Sequence, residues 1–513
     1  VHLIKTGTDG LDEILFGGII ADNSLLVEGT PGAGKTTFGL QYICKGASLY
    51  GQPGIIITFE EEAEKLYRDA LAFGWNLRDL ESRGLLRVIP SSPEAVRDML
   101  LKPESGFTRL SRSIGANRIL VDSITHFRRI TENVQELRVL LSKFINGLMQ
   151  LTTSAVLIKE IESAESEGAN IEEYVVDTVI RLSYEQRSRQ RRERFLEVIK
   201  SRGQRHLSGK HTLRFTDSGL EVYPVCGALP DGESARGASL KAVAGPLSSG
   251  IAGLDRMCRG GLPAGSATVV AGSSGTGKSV LAAQFLQEGL KKHERVLLVS
   301  FVQQEADFVA AARSFDMKLD RYLDSGRLAV LYRSTLDLQA DELLHGIKAR
   351  LEEGAVDRVV VDSLNQLMES VRDEDYMVDY LDALLRLFSL RGVTSLFTFE
   401  VDKMFGSFEI DGRRTLGLFD NLILMRYVEL EGEIRRAIAI LKMRGADHDK
   451  SIQEYVITTS GIEVKTKFDR GVDVMGGTGG AAKADVVELK DILSDATRWA
   501  QATRRLREKQ KQP

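Results

Sequence analysis

Twice along this chain an apolar run leads into the pattern GxxxxGK[ST], and each time a helix-like stretch follows. The first copy is Gly29, Thr30, Pro31, Gly32, Ala33, Gly34, Lys35 and Thr36, lying between SLLVE (24–28) and TTFGLQYICKGA (36–47). The second is Gly272, Ser273, Ser274, Gly275, Thr276, Gly277, Lys278 and Ser279, lying between ATVVA (267–271) and SVLAAQFLQEGL (279–290). Small residues let successive backbone N–H groups close around phosphate oxygens at a helix N-terminus. Lys35 and Lys278 are expected to reach the β and γ phosphates, and Thr36 and Ser279 to hold Mg²⁺. Thr37 and Val280 come next and complete the two expected nucleotide-binding segments. A strand–loop–helix unit of this kind restricts the fold to the α/β class: a mostly parallel sheet flanked by helices, of P-loop NTPase type.

The two loops belong to a larger repetition. TGTDGLDEILFGGI (6–19) matches SGIAGLDRMCRGGL (249–262), ILVDS (119–123) matches VVVDS (359–363), IKSRGQRH (199–206) matches LKMRGADH (441–448), and SGLEV (218–222) matches SGIEV (460–464). These matches are collinear at a nearly constant offset, which is the signature of a duplicated domain. The length of 513 residues agrees, since a single core rarely grows beyond about 250–300 residues. The expected boundaries are 1–230 for the first domain and 243–470 for the second, with a C-terminal tail at 471–513. The junction contains GALPDGESARG (227–237), rich in turn formers and read as a linker.

Asp122 and Asp362 each close a strongly apolar run, the expected place for an acid that holds Mg²⁺ directly or through water. The strand after the first loop helix reads GIIITFEEEAEKL (54–66) and delivers Glu60 and Glu61 beside the expected γ-phosphate. A carboxylate there can orient the attacking water or accept its proton. Glu62 and Glu64 read instead as the acidic start of a helix. The second half has RVLLVSFVQQEADFV (295–309) in this place. Anchored on Phe73 and Phe315, Glu60–Glu61 fall opposite Val302–Gln303. A slip of one residue pairs them with Gln303–Gln304. Neither alignment supplies the two acids, and Glu305 falls at the start of the next helix. The second site is expected to bind nucleotide and hydrolyse it weakly.

The formal charge of -4, from 68 basic and 72 acidic residues, argues against a protein built to coat nucleic acid. The segment YEQRSRQRRERF (184–195) is strongly basic and reads as a solvated hairpin. Cys44, Cys226 and Cys258 are too widely spaced for a zinc site or disulfide scaffold. No signal-like segment or membrane-length apolar run is seen, so a cytoplasmic location without membrane contact is expected. In the tail, apolar residues at Val487, Leu489, Ile492, Leu493, Ala496 and Trp499 have roughly helical spacing, after a Gly-rich stretch.

Taken in order, GLDxxxxGGI, the phosphate loop, TFEE, VDS and KxRGxxH resemble the KaiC family, within the RecA/RadA/DnaB superfamily. The resemblance covers about residues 5–465. It implies two tandem RecA-type domains binding ATP and Mg²⁺, with assembly into a homo-oligomeric, hexameric double ring. It places ATP between neighbouring subunits, where the KxRG cations reach the neighbour's nucleotide: Lys200 and Arg202 in the first domain, Lys442 and Arg444 in the second. The family's glutamate pair maps onto Glu60 and Glu61. In clock members the second domain phosphorylates itself on an adjacent Ser–Thr pair. Counting back from Asp420, that pair falls here on Leu416–Gly417, neither of which has a hydroxyl; Thr415 is displaced by one residue. The tail of clock members docks the partner KaiA; the tail here differs in wording and is a candidate site for a protein partner.

The sequence therefore predicts slow ATP hydrolysis, mainly in the first domain, with Glu60, Glu61, Lys200 and Arg202 as the catalytic set, in a timing or signalling role. A second-domain autokinase, a DNA-associated motor and a nucleotide-stabilised scaffold are the alternatives.

Overall fold

The structure is a computed structural model that describes residues 2–100, 106–131, 133–151, 154–161, 171–187, 191–226, 245–371, 373–401, 413–430 and 432–468. The expected linker and the C-terminal tail lie outside the described residues. The chain divides into two compact units, Val1–Ala228 and Leu229–Pro513.

Each unit is built on a nine-stranded sheet. In the first, the strands lie in the order Gly219–Tyr223, Lys210–Thr216, Arg192–Ser201, Thr178–Gln186, Asn23–Gly29, Ser154–Glu160, Arg118–Asp122, Gly54–Thr58 and Leu86–Pro90. The six from Thr178–Gln186 to Leu86–Pro90 are parallel; the other three continue the sheet antiparallel. The second sheet repeats this order with Gly461–Lys467, Gln453–Thr458, Glu433–Met443, Asn421–Leu430, Ala267–Gly272, Thr394–Glu400, Arg358–Asp362, Val296–Ser300 and Leu328–Tyr332. Central strands such as GIIIT and VLLVS are buried at every position, as parallel strands covered on both faces must be. The phosphate-loop helix Lys35–Leu49 covers one face of the first sheet, with Phe38 and Tyr42 packed among Val27, Leu120 and Ile158. The helix Val134–Met149 covers the other, with Leu141 and Phe144 among Leu26, Ile57 and Val121. This is the two-copy, RecA-type P-loop architecture that the motifs predict.

Two repeated motifs prove to be structural. Gly18 and Gly261 have φ of 130° and 132°. A Cβ there would lie 2.4 Å from the Ile4 carbonyl oxygen and 2.3 Å from that of Leu247. The glycine pairs thus let each domain's entry strand close on itself. The Asp of each Gly-Leu-Asp accepts from the backbone of the same entry segment: Asp12 from the N–H of Thr6 at 2.9 Å, Asp255 from that of Ser249 at 2.8 Å.

Other buried groups separate the two domains. In the first sheet, Lys159, Glu28 and Arg181 sit side by side on three neighbouring strands. Glu28 has no exposed surface; it pairs with Arg181 at 2.6 Å and Lys159 at 3.5 Å, and Lys159 also reaches Glu172 at 3.4 Å. The second sheet places Phe399, Ala271 and Leu424 in the same row.

Candidate nucleotide sites

Both phosphate loops take the conformation that their glycines permit. Gly32 and Gly34 have φ of 77° and 105°, and Gly275 and Gly277 of 78° and 98°. A Cβ on Gly29 would lie 2.2 Å from the Leu182 carbonyl oxygen, and one on Gly272 2.4 Å from that of Met425. The loops therefore lie tight against the next strand, with backbone N–H groups gathered at the start of the helices Lys35–Leu49 and Lys278–Lys291. Lys35 folds over its loop and donates to the Thr30 carbonyl at 3.1 Å; Lys278 donates to the carbonyls of Gly272 and Ser273 at 2.8 and 2.9 Å. Burial pulls both ammonium groups below the usual lysine range, opposed by the charges of Glu160 and Asp122 at Lys35, and of Glu400 and Asp362 at Lys278.

The expected metal-holding pairs form in both domains. Thr36 Oγ1 donates to Asp122 Oδ2 at 2.8 Å, and Ser279 Oγ to Asp362 Oδ2 at 2.9 Å. Thr398 engages the second oxygen of Asp362 at 2.5 Å, whereas the corresponding residue of the first domain is Ile158. Burial, opposed chiefly by the Thr36 hydrogen bond, pushes Asp122 up to about 6. A cradle of glycine backbone, a lysine and a hydroxyl–carboxylate pair is the donor set that a triphosphate and a hard divalent cation require, so these residues fit ATP and Mg²⁺.

The structure resolves the alignment of the two acidic turns. In the first domain the Thr58 hydroxyl accepts from the N–H of Glu61 at 3.2 Å and donates to its carbonyl at 3.1 Å. In the second, Ser300 makes the same pair of bonds with Gln303, at 3.1 and 2.7 Å. Phe59 and Phe301 donate their N–H groups to the carbonyls of Asp122 and Asp362. Glu60 therefore corresponds to Val302, and Glu61 to Gln303. Glu60 lies 3.2 Å from His126 Nε2 and 3.1 Å from Arg129; Glu61 pairs with Lys65. His126 and Arg129 belong to no motif, so spacing alone does not reveal them. In the second domain Val302 is 68% exposed, and the residues in step with His126 and Arg129 are Gln366 and Glu369. Glu62 and Glu305 start their helices, as their positions predict.

The KxRG cations are not brought to the phosphate loop of their own domain. Lys200 pairs across the sheet with Val179, which neighbours Leu26, three residues before Gly29, or about 10 Å along the strand. Lys442 occupies the same place, opposite Leu422 and Val269. Lys200 donates to the carbonyls of Glu173 and Val176 at 2.7 Å each, and Arg202 to that of Tyr174 at 2.8 Å. Lys442 donates to the carbonyls of Gly417 and Phe419, and Arg444 to that of Gly417 at 3.0 Å. Burial, then the adjacent Arg444, brings Lys442 down to about 8. Thr415 lies in the short helix Arg413–Leu416 and is 5% exposed. The described residues of the basic stretch 184–195 pair antiparallel, and Arg194 among them is not merely solvated: it stacks on Tyr184 and Phe215 and donates to the Gly32 carbonyl at 3.1 Å.

Comparison with known proteins agrees with this geometry. The family model described as "ATPase: KaiC" matches residues 4–226 and again 247–468. The chain belongs to the KaiC family. Among curated KaiC relatives, the circadian clock oscillator protein KaiC of Nostoc is 30% identical over 91% of this chain and 90% of its own length. That of Parathermosynechococcus lividus is 31% identical over 90% of this chain and 85% of its own. The circadian clock oscillator protein KaiC 1 of Synechocystis is 29% identical over 91% and 90%. KaiC membership carries ATP binding and P-loop ATPase chemistry in general terms. Among the described residues, no helix is long and apolar enough to cross a membrane.

Proposed function

We propose that this KaiC-family chain hydrolyses ATP slowly in its first domain and uses its second mainly to bind nucleotide, in a homo-oligomeric ring with a timing or signalling role. The observation that carries this reading is the matched turn after Thr58 and Ser300. One backbone scaffold presents Glu60 and Glu61 in the first domain, and Val302 and Gln303 in the second. In the first domain the loop N–H groups and Lys35 bind the phosphates, while Thr36 and Asp122 hold Mg²⁺. The metal supplies charge neutralisation on the phosphate oxygens when bound. Glu60 or Glu61 orients a water and takes its proton, and His126 and Arg129 hold the Glu60 carboxylate in place.

Lys200 and Arg202, held away from their own loop, serve the nucleotide of a neighbouring copy and couple turnover to assembly. Lys442 and Arg444 do the same for the second domain. Phosphate transfer to the Leu416–Gly417 position has no hydroxyl to receive it, and Thr415 beside it is buried. Replacing both acids in a Glu60→Gln/Glu61→Gln chain is expected to lower ATP turnover at least about 100-fold in the first domain. Nucleotide should still bind to both domains. Wild-type turnover in that variant sinks the first-site assignment.

A further inference from the structure

Glu160 and Glu400 belong to no motif, yet the duplicated fold puts them in one place. Each is the last residue of the strand lying between the phosphate-loop strand and the Asp122 or Asp362 strand. Glu160 stands directly across from Gly29 and Glu400 directly across from Gly272, the first residue of each loop. The following residues lock this end, Ile161 to the Gly29 carbonyl and Val401 to the Gly272 carbonyl, both at 3.1 Å.

Side chains alternate along a strand. Glu160 follows Val156 and Ile158, which pack with Phe38 and Leu40 of the loop helix. Asp122 follows Leu120 on the same face. Glu400 follows Leu396, which packs with Leu281 and Phe285, and Thr398, which donates to Asp362. Both glutamates therefore project on the phosphate side of the sheet, two residues beyond the level of Asp122 and Asp362, about 7 Å further out.

Different residues hold the two positions. The N–H of Glu160 donates to Thr125 Oγ1 at 2.9 Å. The N–H of Glu400 donates to Asn365 Oδ1 at 2.6 Å, and Asn365 Nδ2 returns a bond to the Glu400 carbonyl at 2.9 Å. Thr125 and Asn365 both lie three residues after the metal-holding aspartate. The pin thus ties the glutamate to the aspartate's own turn. In both domains the carboxylate is close enough to the loop lysine to support its charge.

The duplication itself indicates which role this acid has. The Glu60–Glu61 pair is kept in one domain only, whereas an acid at the strand end is kept in both, as are the loop, the hydroxyl and the aspartate. Its role thus belongs with binding, which both domains retain, and not with water activation. We propose that Glu160 and Glu400 are positioning residues for the nucleotide-bound divalent cation, accepting hydrogen bonds from water in its coordination shell beside Asp122 and Asp362. This rests on the nucleotide-binding reading above and adds a third protein group to each metal position.

The test is a Mn²⁺ titration of the full chain, followed by electron paramagnetic resonance, with adenylyl imidodiphosphate bound. The wild type is expected to hold two Mn²⁺ per chain. Glu160→Gln should weaken one equivalent and Glu400→Gln the other, each by about tenfold, the usual scale for a group holding a metal's outer shell. Asp122→Asn serves as the positive control. Glu160→Asp, which keeps the charge, should recover part of the loss. Nucleotide affinity without metal should move less than about twofold. Unchanged Mn²⁺ affinity over intact nucleotide binding overturns this inference alone, as does an equal loss of metal-free nucleotide affinity. Failure of the wild type to bind the nucleotide overturns the underlying reading as well.

Discussion

His211 has no exposed surface, and both of its ring nitrogens are engaged. Nδ1 lies 3.0 Å from the N–H of Val225 and must accept; Nε2 lies 3.3 Å from the Leu207 carbonyl and donates. Burial outweighs that last contact and brings the ring down to about 4. The sign of the consequence follows. Below the ordinary histidine value near 6.5 the unfolded chain takes up a proton and the native ring does not. Native stability therefore falls as pH drops from about 6.5 to about 4, and this contribution levels off below that. The span corresponds to roughly 3 kcal/mol. The second domain has Gln453 in the corresponding place. Glu- or Asp-driven acid unfolding is common to both domains, so the contrast to measure is the variant. His211→Gln should flatten the dependence of the first domain's melting temperature between pH 6.5 and 4.5. An unchanged acid limb removes His211 as its cause.

The strand that ends at Asp122 or Asp362 begins, in both domains, with an arginine that has no exposed surface. Arg358 donates to the carbonyls of Ser248 at 2.7 Å and Phe285 at 3.1 Å and pairs with Glu294, joining the entry segment, the loop helix and the sheet. Arg118 does the same through Lys5, Tyr42 and the neutral Gln52. Removing Arg358 strands a carboxylate and two buried carbonyls. Arg358→Ala is expected to destabilise the second domain by about 3–5 kcal/mol in urea unfolding, with little change in the first. Arg118 bonds directly to no carboxylate, and the nearby Asp12 keeps Lys5, so Arg118→Ala should cost its domain less. These arginines mark the limit of what the sequence made legible. The loops, the aspartates and the duplication could be read because each is a short pattern with fixed spacing. Arg118, Arg358, Glu28 and Lys159 sit inside runs otherwise typical of buried strands, and their partners lie far away in the chain. Glu160 and Glu400 gain meaning only once the strand order puts them across from the loops. The choice between Val302–Gln303 and Gln303–Gln304 turned on one hydroxyl, that of Ser300, whose bonding no spacing rule reveals.

For the molecule as a whole, the important distance is the one the chain does not close. Lys200 and Arg202 are anchored on carbonyls of 173–176, well back along the sheet from Gly29. If they act on a neighbour's nucleotide, one subunit's defect can be offset by another's intact half. Lys200→Ala/Arg202→Ala chains and Glu60→Gln/Glu61→Gln chains should each be nearly inactive alone. Co-assembled in equal amounts, they should regain activity on the order of a quarter of wild type, because some interfaces then combine an intact acid pair with intact cations. Activity that stays at the level of the separate variants argues that the cations work within their own chain.

The central place of the phosphate-loop strand also bears on how the protein is made. Asn23–Gly29 is synthesised well before both of its sheet neighbours, Ser154–Glu160 and Thr178–Gln186. The loop cannot be seated until the nascent chain has delivered those strands, and pairings over such separations form slowly. Until then the apolar strand SLLVE has unpaired edges on both sides, the condition under which a growing chain is most prone to wrong association. Nucleotide can therefore lend its binding energy only to the last stage of each domain's folding, and the first domain passes that stage before the second loop has its own partners.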